Sequence, residues 1–281
     1  MVQCPLVKLS LEGHYFSTPL ILPPTLEKLK LSVCGDESTE FFDNLRQLPH
    51  LRRLYITDNG DTYSKHSRKS LLSFSDKLHG LSITLFDVAH DSKFIYRLAT
   101  NCSNLTTLDI TDCLMRKEFG GGRLIDDLLS RPDGTDLMPL FSSPQKAAQL
   151  KHLRLSLATI SRQVLETIAD NCVGLRTLDL ANCPSLTDEL LERIAFNSGQ
   201  TLKVVDIARC SEITNQGIVG VALYCPNLEE IMMFQCAVSD EALYALGSNC
   251  LHLRVCGIHP GAASREAIDY VKRSTDGRLF V

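Results

Sequence analysis

The sequence predicts an α/β solenoid in which short parallel strands line a concave sheet and helices form the convex outside. Three observations predict it. First, a frame of the form L-x-x-L-x-L-x-x-C is clearest at Leu175-Arg-Thr-Leu178-Asp-Leu180-Ala-Asn-Cys183. It begins again at Leu6, Leu26, Leu51, Leu78, Leu105, Leu150, Leu202, Leu228 and Leu253, with Val, Ile or Met substituting. Second, the intervals between successive starts are 20, 25, 27, 27, 45, 25, 27, 26 and 25 residues, a register that chance does not keep. Third, apolar residues switch after each frame from period two to helical spacing, as at Leu186, Leu190, Leu191, Ile194 and Ala195. A fixed period of this length marks a leucine-rich-repeat solenoid, or horseshoe, of about ten repeats.

Each element follows from the residues in turn. Two alternating apolar positions in L-x-L suit a short strand with one buried face. Thr187, Thr214 and Ser239 stand where a helix N-cap belongs, with side-chain oxygens able to accept unpaired backbone N–H groups. The unit is therefore strand, turn, helix, and it cannot bury its apolar face alone, so neighbouring units stack. Residues 1–281 read as one leucine-rich-repeat domain. Within it lie degenerate repeats over 1–113, an insertion over 114–145, regular cysteine-containing repeats over 146–260 and a C-terminal cap over 261–281. Leu6, Leu9 and Leu11 open the array almost at once, which predicts an uncapped, water-facing N-terminal edge.

Composition narrows the function classes. With 281 residues, 44% hydrophobic and 22% charged, the chain has ample material for a core. A formal net charge of −4 argues against a general nucleic-acid or anionic-membrane binder, which needs a basic excess. No apolar run reaches the roughly 18 to 20 residues of a membrane helix, and MVQCPLVKLSLEGH lacks the pattern of a signal peptide. The expectation is a cytoplasmic or nuclear protein whose 11 cysteines are free thiols. The N-x-S/T sequences at Asn101 and Asn104 then serve structure and not glycosylation.

Candidate chemistry is sparse. Cys102 and Cys113, Cys172 and Cys183, and Cys225 and Cys236 are each eleven apart, and no C-x-x-C occurs, so the thiols read as packing groups and not zinc ligands. Gly120-Gly121-Gly122 lacks the Lys-Ser/Thr pair of a phosphate loop, the eight histidines are scattered, and no G-x-S-x-G exposes a nucleophile. No enzyme activity and no cofactor are expected. The basic string Lys65-His-Ser-Arg68-Lys69 reads as a solvated face.

The pattern C-x-x-L-x-x-L-x-L-x-x-C, followed by a short I-T or L-T-D element and a helix, resembles the cysteine-containing leucine-rich repeats of F-box proteins. It stands as Cys172-Val-Gly-Leu-Arg-Thr-Leu-Asp-Leu-Ala-Asn-Cys183-Pro-Ser-Leu-Thr-Asp188, as Leu202 to Thr214 and as Cys225 to Asp240. Residues 150–260 carry the resemblance well, whereas residues 1–100 match only the strand motif. The resemblance implies a substrate receptor of a cullin ubiquitin ligase, in which an F-box holds a Skp-type adaptor and the repeats hold the substrate. The F-box itself is not present in this chain, because the first repeat begins at Leu6. Two readings follow: a substrate-recognition domain separated from an upstream F-box, or a scaffold or assembly factor that uses the same repeats.

The site is expected on the concave face. Third, fifth and seventh residues of each frame point away from the core. They divide into a basic N-terminal zone, an acidic middle and an apolar C-terminal zone. The candidate partner-binding residues are Arg53, Tyr55, Asp109, Arg154, Asp179, Asp206, Glu230, Met232, Phe234 and His259, with a protein as the ligand. Met232 and Phe234 are the expected anchors, and Asp179 and Asp206 the expected selectors of a basic neighbour. The 45-residue interval after Leu105 places an insertion over 114–145, read either as an unstructured bulge or as a segment closing over this face. Leu124, Ile125, Leu128 and Leu129 within it have the spacing of a short amphipathic helix.

Overall fold

The structure, a computed structural model, describes residues 5–12, 21–33, 39–58, 65–85, 92–112, 134–156, 160–275 and 278–280. The chain divides into two compact units, Met1–Pro132 and Asp133–Val281. In the first, strands β1 (Lys8–Glu12), β2 (Lys28–Val33), β3 (Arg53–Asp58), β4 (Gly80–Leu85) and β5 (Thr107–Asp112) pair in parallel and in chain order. Helices α1 (Thr39–Arg46), α2 (Lys65–Leu72) and α3 (Ser92–Asn101) connect them. The frame is obeyed residue by residue. Leu29, Leu54, Leu81 and Leu108 form one buried row, and Leu31, Ile56, Ile83 and Ile110 the next.

The second unit begins with a 3-10 turn at Thr135–Leu137, α4 (Met138–Phe141) and α5 (Pro144–Gln149). There follow β6 (His152–Ser156), α6 (Arg162–Asn171), β7 (Thr177–Asp179), α7 (Asp188–Ser198), β8 (Val204–Asp206) and α8 (Asn215–Tyr224). The unit ends with β9 (Glu230–Met232), α9 (Asp240–Asn249), β10 (Val255–Gly257), α10 (Arg265–Ser274) and β11 (Arg278–Phe280). Its strands are again parallel and in chain order. Leu178, Val205, Ile231 and Cys256 form a buried row one residue wide, backed by Leu180, Ile207, Met233 and Ile258. At about 1.5 to 3 kcal/mol for each aliphatic side chain taken out of water, these rows hold adjacent repeats together.

The cysteines are part of that packing. Cys210 Sγ donates to the Leu180 carbonyl at 3.3 Å and Cys236 Sγ to that of Ile207 at 3.1 Å, each reaching the preceding repeat. Burial pushes the Cys172, Cys210, Cys225, Cys250 and Cys256 thiols up to about 12, and Cys183 and Cys236 up to about 11. Thiols held this far from ionisation are poor nucleophiles. Asparagines make a second ladder between repeats. Asn171 Nδ2 donates to the Phe141 carbonyl at 3.0 Å and Asn197 Nδ2 to Ala169 at 2.8 Å, closing the open end of the preceding helix. Asn104 does the same for Asp76 at 2.9 Å, the structural use expected of it.

The helix starts differ in detail from the expectation. Thr187 and Thr214 accept from the amides of Leu190 and Gln216, as N-caps should. Ser239 does not cap its helix; its hydroxyl accepts from Asn215 Nδ2 at 2.8 Å, and its amide donates to Asn215 Oδ1 at 2.8 Å. The same cross-link occurs one repeat away on each side. Asp188 accepts from the Thr214 amide at 2.9 Å and hydroxyl at 2.6 Å, and Asp240 accepts from the Ser264 amide at 2.6 Å. The first helical residue of one repeat thus ties down the cap of the next. Close approach also fixes Gly199, where a Cβ would collide with the carbonyl oxygens of Tyr224 and Ala195.

Two of the expected segments take a defined form. Residues 134–145, the last part of the expected insertion, are largely helical, and they bury Leu137, Leu140 and Phe141. They pack against α6, which is why apolar residues reappear among the Gly, Pro and Ser. Leu124, Ile125, Leu128, Leu129 and the triple glycine lie outside the described residues. The expected cap over 261–281 is a tenth helix and a further strand, β11, in register with β10 from Val255↔Arg278 to Gly257↔Phe280. Among the described residues, no helix is long and apolar enough to cross a membrane.

Candidate functional site

Parallel registration converts the frame positions into straight rows on the sheet face turned away from the helices. In the first unit, one row runs Lys8, Lys28, Arg53, Gly80, Thr107, and the next runs Ser10, Lys30, Tyr55, Ser82, Asp109. In the second unit, the rows are His152, Thr177, Val204, Glu230, Val255 and Arg154, Asp179, Asp206, Met232, Gly257. The predicted residues Arg53, Tyr55 and Asp109 therefore share one face in the first unit. Arg154, Asp179, Asp206, Glu230 and Met232 share one in the second, and Phe234 and His259 follow at the ends of β9 and β10.

The basic zone is layered on an aromatic ring. Lys28 Nζ lies 4.6 Å from the centroid of Tyr55, a cation held against a π face. Arg53 is exposed, its side chain lying over Gly80, where a Cβ would stand 3.1 Å from Arg53 Cγ. Ser82 donates to Asp109 Oδ2 at 3.0 Å, so this acid is engaged from its neighbouring strand.

The acidic pair has a structural task as well as a charge. Arg154 Nε lies 2.7 Å from Asp179 Oδ2, and the Asp179 side chain is only 11% exposed. Its other oxygen accepts from the Ala181 amide at 3.1 Å, and Asp206 Oδ1 accepts from Ala208 in the same way. These bonds hold the turns after β7 and β8, whose next residues, Asn182 and Arg209, have positive φ of 62° and 63°. The basic partner expected for Asp179 is thus supplied from within the chain. Asp206 is half-buried, and burial raises its carboxyl above the ordinary value against the opposing bond from Ala208.

The apolar zone is built around a missing side chain. A Cβ on Gly257 would stand 2.6 Å from both Met232 Sδ and Phe234 Cε2. Met232 and Phe234 therefore lean over β10 into the space that Gly257 leaves, half-buried and side by side. Glu230 is half-buried above them, and His259 is exposed at the end of the next strand. An apolar shelf beside the half-buried Asp206 suits contact with another protein's surface. Among the described residues, no group of three or more His, Cys, Asp or Glu side chains could hold a metal ion.

Reading only the outward rows of the sheet overlooks the edge where the strands begin. There the second residue of each frame in the second unit, Lys151, Arg176, Lys203, Glu229 and Arg254, forms a further row beside a cavity of about 480 Å³. The signal was present in the same register, one place to the left.

No family model matches the chain. F-box protein SKIP1 of Arabidopsis thaliana is 37% identical over 68 residues, which cover 24% of this chain and 22% of that protein. F-box/LRR-repeat protein 21 of Mus musculus is 30% identical over 121 residues, covering 41% and 27%. F-box/LRR-repeat protein 12 of Arabidopsis thaliana is 31% identical over 95 residues, covering 34% and 24%. The chain spans about a quarter of the length of these relatives. In fold it is similar to a chain from the crystal structure of the yeast Rad7 and Elc1 complex, with a TM-score of 0.56, 16% identity, and coverage of 87% of this chain and 66% of that one.

Proposed function

We propose that this leucine-rich-repeat protein, whose sequence relatives are F-box/LRR-repeat proteins, is the substrate-recognition part of an F-box-type ubiquitin ligase receptor. The observation that carries the binding part of this reading is the shelf of Met232 and Phe234 over Gly257, beside the half-buried Asp206. Large apolar side chains kept partly exposed at a surface are characteristic of contact sites. Aromatic anchors at such places carry a disproportionate part of the binding energy. The ligase part rests on the names of the relatives, and it implies that the full-length product also engages a Skp-type adaptor and a cullin.

Affinity purification of the full-length product with quantitative mass spectrometry separates the two parts. Phe234→Ala should reduce recovery of a protein partner by roughly tenfold or more, the effect of losing about 2 kcal/mol at an anchor. The same variant should leave adaptor and cullin recovery unchanged. Glu192→Ala, on the helical side, is the control that should lose nothing. Recovery of a partner through Phe234 without adaptor or cullin would favour a scaffold or assembly factor. A silent Phe234, with binding mapped to the helices, would reject the face itself.

A further inference from the structure

Just ahead of the strands in the second unit, Lys151, Arg176, Lys203, Glu229 and Arg254 stand on successive repeats in one file. Their backbones are in register. The Lys151 carbonyl accepts from the amides of Arg176 and Thr177, that of Arg176 from Lys203 and Val204, and that of Lys203 from Glu229 and Glu230. The Glu229 carbonyl accepts in turn from Arg254 and Val255. Neighbouring rungs are therefore about 4.8 Å apart. Four cations share this file with one carboxylate, and like charges on adjacent rungs oppose each other.

The single carboxylate is already engaged. Lys203 Nζ lies 2.6 Å from Glu229 Oε1. The Lys203 ammonium holds the Glu229 carboxyl below its ordinary value, and the nearby charges of Arg254 and His252 act in the same direction. Arg176, Gln200, Lys203, Asn227, Glu229 and His252 line the cavity of about 480 Å³ at this edge. Its frame is fixed by the strand ladder and by two side-chain bonds. The Thr201 hydroxyl donates to the Leu175 carbonyl at 2.7 Å, and Asn227 Nδ2 donates to the Gln200 carbonyl at 3.0 Å.

Two exposed apolar side chains occupy the same set of turns. Val173 stands three residues before Arg176 and is 49% exposed, and Leu251 stands next to His252 and is 61% exposed. Their turns lead into β7 and β10, three rungs apart. That separation, about 14 Å, is the span of roughly four to five extended residues.

We propose that this cavity binds a phosphorylated segment of a partner polypeptide, with the phosphoryl group between the Arg176 guanidinium and the Lys203 ammonium. Flanking apolar residues of the segment rest on Val173 and Leu251. A phosphoryl group brings about −1.5 to −2 charges and three acceptor oxygens. Two of them match the fork of Arg176, and the third draws Lys203 away from Glu229. A single carboxylate would only replace one monoanion by another. Once released, Glu229 still has Arg254 and His252 beside it, so the exchange leaves no isolated charge. The site lies on a different surface from the Met232 and Phe234 shelf and does not depend on that reading.

Isothermal titration of the whole chain at low ionic strength tests it with four probes. These are a peptide with central phosphoserine and a leucine on each side, the same peptide unphosphorylated, its Ser→Glu version, and inorganic phosphate. The phosphopeptide should bind at least roughly tenfold more tightly than the other three. Arg176→Gln combined with Lys203→Gln should remove that preference. Glu229→Gln, which frees Lys203, should tighten binding, and Phe234→Ala should leave it unchanged. Both altered edge positions are on the surface, so circular dichroism should show an intact fold. Equal affinity for the glutamate peptide, binding of inorganic phosphate only, or indifference to the double substitution would each overturn the assignment.

Discussion

At the scale of single residues, the two aspartates on the sheet face show how one position serves the fold and the surface together. Asp179 and Asp206 each accept from the amide two residues ahead, and that bond holds a turn whose following residue has positive φ. Burial raises the Asp206 carboxyl above the ordinary value of 3.8. The sign of the consequence follows from proton linkage. In the window above that value, the native state keeps a proton that the unfolded chain has lost, so stability falls as pH rises through the native pKa. Asp206→Asn keeps the acceptor for Ala208 and removes the charge. Denaturation midpoints measured across acidic and neutral pH should show this variant at least as stable as the parent at neutrality, with a shallower decline on leaving acid. A variant weaker than the parent at every pH would mean that the charge itself is needed.

At the scale of elements, the helix starts are coupled from repeat to repeat and not capped one by one. Thr214 receives the amide of Gln216 at 3.2 Å while its hydroxyl donates to Asp188 of the preceding helix. Thr214→Val removes both bonds at little change in shape, and a lost cap costs about 1 kcal/mol, up to about 2. Ser239→Ala removes no cap bond, because Ser239 has none to its own helix. Urea titrations should therefore place the midpoint of Thr214→Val below that of Ser239→Ala. The reverse order would show that the Asn215 to Ser239 link carries more than the cap.

At the scale of the whole molecule, a solenoid is held by neighbours along its axis, so damage should stay local. Ile231 is fully buried between Val205 and Cys256 in the row that joins β8, β9 and β10. Ile231→Ala should cost about 2 to 5 kcal/mol. Hydrogen exchange followed by mass spectrometry should quicken in residues 204–257 and leave β1 to β4 at the parent rate. Uniform quickening across both compact units would show that the chain unfolds as one block.

Periodicity alone made the repeats legible, because a buried row demands an apolar residue at each return of the frame, and the demand met by Leu175, Leu178 and Leu180 recurs at intervals that, two excepted, are 25 to 27 residues. The same register placed Arg53, Tyr55, Asp206, Met232 and Phe234 on an outward face, since strand side chains alternate strictly. Four features needed the tertiary structure. Asp179 is paired with Arg154 across strands, residues 134–145 fold back as helices, Arg278–Phe280 adds a strand, and Gly257 leaves the space that Met232 and Phe234 fill. Each is a contact between residues of different repeats, or between segments with no frame of their own. A periodic pattern states which way a side chain faces, but the neighbour it meets depends on how the rungs stack.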